Sequence, residues 1–304
     1  MSVDLYFAGS QCTESTDLII KKSLCRLYSY YNDKSSIKKW IENNVSGKLF
    51  IDSGAFTAWT KGVTINVEEY VQYINNITEY LTLFGQVDTI AGTPDTVPTL
   101  KEQEEASIKT WENYLYMYTH LKEPDKCVYT FHIGENYKYL KQALEWKNSK
   151  GEHFKYMALG GTVGKPLQDK INWFKKVWTI IKSSSNPNVK VHAFGMTSFD
   201  VLKQFPFTSA DSTSWIMTGS TGSIFTSYGN IIVSDQALSN KLHFNYLHNN
   251  AKNAIYKEVE KFNYTMKELA SDYKARVCYN LLYMADWAKN CNQIYSNSKT
   301  HTLF

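Results

Sequence analysis

Residues Val191 to Trp215 read VHAFGMTSFDVLKQFPFTSADSTSW, and the fold turns on this stretch. Lys190-Val-His-Ala-Phe is a short apolar run closed by Gly195, the pattern of a buried strand. Thr197 or Ser198 can cap a short helix carrying Phe199, Val201, Leu202 and Phe205. Pro206 stops that helix, and Phe207-Thr-Ser-Ala begins a second strand ending at Asp211. Small hydroxyl residues follow (Ser212, Thr213, Ser214), then Trp215. Barrels and doubly wound sheets place their chemistry at the C-terminal ends of parallel strands, where this arrangement puts Asp211. Taken alone, Asp211 also fits an Asx turn that caps a loop.

A second carboxylate stands in the same kind of place. Lys48-Leu-Phe-Ile-Asp52-Ser-Gly-Ala-Phe56 is a strand ending in Asp52, and Gly54 permits a sharp turn beside a ligand. Two strand-end carboxylates facing one pocket supply a nucleophile and a general acid/base at a glycosidic carbon. Tyr156-Met-Ala-Leu-Gly160-Gly161-Thr-Val-Gly164 is a third strand, running into a glycine-rich turn whose bare N–H groups suit a planar polar ligand or a phosphate. It lacks the spacing of a dinucleotide-binding fingerprint.

Working outward, Val3–Ala8, Val87–Ala91, Cys127–His132 and Phe154–Leu159 read as further strands, and residues 14–30 as a short helix. Asn66 and Glu69 form a capping pattern before an apolar stripe running from Val67 to Phe84. Lys101–Leu121 is amphipathic, with Ile108, Trp111, Leu115 and Tyr118 expected inward. Pro166 starts another helix, residues 224–233 form a hairpin, and Thr265 with Glu268 caps a long C-terminal helix. Residues 292–304 read as frayed. This alternation predicts an α/β fold: a (β/α)8 barrel over 1–235 with a helical extension over 236–304.

At 304 residues the chain can bury one large core. A net charge of +4 limits any nucleic-acid surface to a local patch. The 22 tyrosines and 8 tryptophans suit a packed core and base-stacking platforms alike. Five singly spaced cysteines argue for a reducing interior, and no apolar run is long enough for a membrane span. The expectation is a cytoplasmic protein without membrane partners.

Together these motifs resemble the tRNA-guanine transglycosylase superfamily. Its DSGGFQ hallmark is matched by Asp52-Ser-Gly-Ala-Phe-Thr57, and its GG-x-x-VG-type turn by Gly160-Gly-Thr-Val-Gly164. Its strand–helix–strand bearing the nucleophile is similar to the stretch from Ala193 to Asp211. The family's NG-x-LFT-x-xG-x-I run resembles Thr218-Gly219 and Gly222 to Ile232. The motifs fall in family order over residues 48–235.

The resemblance implies exchange of guanine in a nucleic acid for a free 7-deazaguanine base, by double displacement through a covalent intermediate on Asp211. Asp52 would manage the proton. Asp95, after the expected strand 87–91, would read the base's donor edge, in preference to Asp88 at that strand's start. His132 stands near the family's base-reading glutamine, and Gly160 and Gly161 would offer backbone contacts. Ser53, Gly54 and Phe56 would complete the base pocket, while Lys165, Ser212, Thr213 and Trp215 would meet the polymer.

The tRNA-modifying members carry a zinc site of three cysteines and a histidine. Here only Cys278 and Cys291 follow the nucleophile, with His243 and His248 upstream, a spacing poorly suited to zinc, so no metal and no cofactor are expected. That departure, with those at Thr57, His132 and Lys165, points to the branch that modifies DNA in bacteria and phages. DNA is therefore expected over tRNA, together with possible accessory DNA-modification proteins. The alternatives are a tRNA enzyme of the same mechanism, a catalytically inactive nucleic-acid-binding barrel, and a glycosidase or phosphate-binding barrel.

Overall fold

Eight short strands pair in chain order, all parallel, and the eighth closes on the first. The computed structural model describes residues 2–196 and 198–291. The expected Thr197 cap and the expected frayed segment 292–304 lie outside the described residues. The barrel runs β1 (Asp4–Phe7), α1 (Thr13–Lys21), β2 (Arg26–Ser29), α2 (Lys34–Glu42), β3 (Leu49–Asp52), α3 (Ala55–Thr60), α4 (Val67–Ile77), β4 (Leu83–Gly85), α5 (Leu100–His120) and β5 (Cys127–His132). It continues through α6 (Tyr137–Glu145), β6 (Tyr156–Gly160), α7 (Leu167–Ser183), β7 (Lys190–Ala193), α8 (Phe199–Gln204) and β8 (Ser209–Ser212). This is a (β/α)8 barrel.

Local chemistry starts several of the helices. Asn66 accepts the Glu69 amide at 3.0 Å to cap α4, Thr99 and Glu102 form a reciprocal capping box on α5, and Ser198 caps α8. Inside the barrel, Tyr6, Leu27, Phe50, Leu83, Val128 and Ala158 form a core of their own, separate from the larger strand–helix layer. Burying a ring such as Phe50 contributes about 2–3 kcal/mol.

Two expectations about β-structure are corrected. Residues 26–29, expected within a helix, form β2; its Arg26 faces the helix layer, where the guanidinium donates to the Phe7 carbonyl at 3.1 Å and to Ser10 Oγ at 2.7 Å. The strand expected at 87–91 lies earlier, at 83–85, so the stripe ascribed to one helix ends at Ile77 and Phe84 is a strand residue. A short apolar run fits either period, so the stripe carried on by chance. On α5, Trp111 is buried as expected, but Ile108 is exposed and Tyr114 and Met117 take the inner face.

Beyond β8 come α9 (Ser214–Ser220), the hairpin β9 (Ser223–Thr226) and β10 (Gly229–Ile232), then α10 (Asn249–Lys261), α11 (Met266–Ser271) and α12 (Tyr273–Asn290). The single long helix expected after Thr265 is two. Thr265 caps α11, and Asp272 restarts the chain by accepting the Lys274 amide at 2.9 Å. Ile224 and Val233 of the hairpin segment share a core with Phe244, Ile255, Leu269 and Tyr279, so the hairpin packs with the extension. Helix α12 lies against α9, α1 and β1. No described helix is long and apolar enough to cross a membrane.

Candidate active site

Side-chain parity fixes what faces the barrel mouth. Successive residues on a strand alternate sides, and in-register parallel partners share a side. Phe50 points inward, so Asp52 does too; Val128 carries Thr130 and His132 with it, and Tyr156 carries Ala158 and Gly160. Asp211 pairs in register with inward-facing Tyr6. The inner C-terminal rim therefore gathers Asp52, His132, Gly160 and Asp211, brought together from four strands.

Each of the two expected catalytic carboxylates is held by one oxygen. Gly54 takes a left-handed conformation (φ +79°), which turns its N–H back onto Asp52 Oδ2 at 2.9 Å. Burial pushes the Asp52 carboxyl up to about 7; the nearby Asp88 and Asp211 add to the rise, against the lowering effect of the Gly54 N–H. Asp211 Oδ1 accepts the Gly195 amide at 2.9 Å and contacts His192 Nε2 at 3.2 Å, and Oδ2 has no partner among the described residues.

A second cluster was not legible as one in the sequence. His132 lies between two carboxylates, Nε2 at 3.2 Å from Asp88 Oδ2 and Nδ1 at 2.8 Å from Glu135 Oε1. Burial alone would lower its pKa, but the two carboxylates outweigh burial and push it up to about 10, so the ring is an imidazolium at neutral pH. Gly160 makes room for it: a Cβ there would sit 2.8 Å from His132 Cδ2.

The displaced strand also changes where Asp88 stands relative to the mouth. Because β4 ends at Gly85, Asp88 lies past the C-terminal end of its strand, in contact with His132 and acting on Asp52. Asp95 is exposed on the following loop. Asp88 also lines a groove of about 610 Å³ that runs between α4 and α5 past Trp59 and Tyr116.

The other expected site residues divide by exposure. Phe56 is 65% exposed on the rim, and Gly161, Lys165 and Thr213 are exposed with it. Ser53 is buried, its Oγ accepting the Ala55 amide at 3.4 Å. Trp215 is removed from any polymer surface: it is fully buried, donating Nε1–H to the Ala8 carbonyl at 3.0 Å. Ser212 is buried as well, bonded to Ser214 Oγ at 2.8 Å. Glu135 and His192 were not singled out in the sequence, and Asp88 was set aside there as standing at its strand's start. The available signals were Glu135 three residues after a strand-end histidine, and a histidine inside an apolar strand, which must find a polar partner when buried.

Among the described residues no group of three or more His, Cys, Asp or Glu side chains is arranged to hold a metal. His243 and His248 cap the turns after them by accepting the amides of Asn245 and Asn250.

Fold and site together define a (β/α)8 barrel whose mouth carries Asp52 and Asp211, the latter against His192, and an Asp88–His132–Glu135 cluster. No known protein family and no curated protein matches the chain.

Proposed function

We propose that the protein is a nucleic-acid guanine transglycosylase, exchanging guanine for a free 7-deazaguanine base, with DNA as the favoured polymer. The observation that carries the reading is the pair Asp211 and Asp52: each is anchored through one oxygen, and Asp52 is poised near neutrality beside Asp211. An extruded nucleotide would present C1′ to Asp211 Oδ2. As the C1′–O bond forms and the C1′–N9 bond breaks, the protonated Asp52 gives its proton to the departing guanine. In the second half Asp52 takes the N9 proton of the incoming base, whose nitrogen displaces the Asp211 carboxylate.

Base recognition falls to Asp88. The imidazolium of His132 lies against one of its oxygens, and a carboxylate accepts from the adjacent N1–H and amino donors of guanine and its 7-deaza analogues. Phe56 offers an exposed ring for stacking, and Lys165 a phosphate contact. Asp88→Asn is expected to raise KM for the free base roughly 10–10²-fold, while Asp95→Asn stays within about twofold. The reverse pattern in steady-state kinetics would return the role to Asp95.

The polymer is tested by incorporating a labelled 7-deazaguanine base into matched DNA and tRNA at one fixed salt concentration. Label is expected in DNA. Label in tRNA alone would overturn the choice of polymer and leave the mechanism intact. Binding of either polymer without label or adduct would instead mark a catalytically inactive barrel.

A further inference from the structure

We propose that His192 is the positioning residue for Asp211, held by a hydrogen-bond chain that rises through the barrel interior from Tyr156. The inference rests on the reading of Asp211 as nucleophile. His192 is fully buried, with the Phe50 and Phe194 rings 4.8 and 4.7 Å from its own and Tyr6 at 6.0 Å. Its two nitrogens are both engaged, Nε2 with Asp211 Oδ1 at 3.2 Å and Nδ1 with Ser209 Oγ at 2.7 Å. Ser209 Oγ lies in turn 2.8 Å from the Tyr156 hydroxyl.

The polarity of the chain follows from its ends. An ionised Asp211 can only accept, so His192 Nε2 carries a hydrogen. In the tautomer with its hydrogen on Nε2, the ring accepts at Nδ1 from the Ser209 hydroxyl. Ser209 accepts from Tyr156, whose phenol keeps its proton because burial raises its pKa to about 12 despite the Ser209 bond. Every donor thus points toward the mouth. The His192 and Gly195 N–H groups converge on Oδ1, which leaves the lone pairs of Oδ2 to attack C1′. In the glycosyl ester, Oδ1 becomes the carbonyl oxygen. The same two donors then favour return of the C1′–O electron pair to the carboxylate in the second displacement. No proton moves along the chain in either half.

The test compares His192→Phe, which fills the ring space without a donor, with His192→Gln, which restores an amide N–H near the Nε2 position. His192→Phe is expected to lower kcat roughly 10²-fold with KM for the free base changed by less than about threefold. His192→Gln should recover at least roughly a tenth of the lost rate, and Ser209→Ala should fall between Phe and wild type. A crystal structure of folded His192→Phe should show the Asp211 carboxylate turned away from the Gly195 amide, and one of His192→Gln should show it in place. Wild-type kcat in the Phe variant, or no recovery in Gln, would overturn the proposal. Failure of the wild-type protein to exchange bases in either polymer would sink the transglycosylase reading instead. The crystal structures then decide: Asp211 unmoved in His192→Phe refutes the positioning role.

Discussion

Asp211→Asn is expected to abolish both the covalent adduct and base exchange, a loss of at least about 10⁴-fold. The size follows from geometry. The substitution keeps an oxygen for the Gly195 and His192 donors, so the mouth retains its shape. What it replaces is the unpartnered Oδ2, and an amide nitrogen in that place has no lone pair able to attack carbon. Protein incubated with guanine-containing polymer and quenched in denaturant should carry the polymer on a gel, and the variant should not. Undiminished adduct in Asp211→Asn would move the nucleophile elsewhere in the cluster, with Asp52 the next carboxylate to test.

Asp52→Asn should slow exchange roughly 10²–10⁴-fold while leaving nucleic-acid binding largely intact, because this side chain only moves protons. The wild-type rate profile should bend near pH 7, where Asp52 changes state, and that bend should vanish in the variant. A stability effect of the opposite sign accompanies the lost activity. The folded-state pKa of about 7 lies above the ordinary value of 3.8, so folding favours the protonated form. The resulting penalty is absent at low pH, grows as pH rises from the ordinary value to about 7, and is constant beyond. Melting curves should therefore show Asp52→Asn more stable than wild type at about pH 8, by on the order of 2 kcal/mol, with the gain disappearing near pH 4. Equal stability at both pH values would mean that the site does not strain this carboxyl.

Asp211 and Asp52 were legible because each ends a short apolar run before small residues, a local pattern that survives without the fold. Strand β2 was not. Arg-Leu-Tyr-Ser begins with a charge, and only the barrel reveals that the Phe7 carbonyl and Ser10 hydroxyl satisfy that guanidinium. The error at β4 came from its brevity, three residues following a real helical stripe, and it placed Asp88 at the start of a strand that in fact ends before it. His192 was hidden for a related reason. Ser209 and Tyr156 lie 17 residues ahead of it and 36 behind, and only the barrel register sets Ser209 level with His192 and Tyr156 one inward position below.

The seam between β1 and β8 has a consequence for how the protein comes into being on the ribosome. Asp211 lies on the last barrel strand, bonded into the first, and the seam lies beneath α12. That helix is tied down by Arg276, which donates to the Gly219 carbonyl at 2.8 Å, and by Asn280, which accepts the Phe225 amide at 2.8 Å. Translation must thus deliver all eight strands before Asp211 pairs with β1, and the helix that covers this region comes later still. A nascent chain stalled short of β8 holds Asp52 and His132 but neither Asp211 nor a closed barrel. Biosynthesis itself therefore keeps a half-made chain from assembling the pair of strand-end carboxylates.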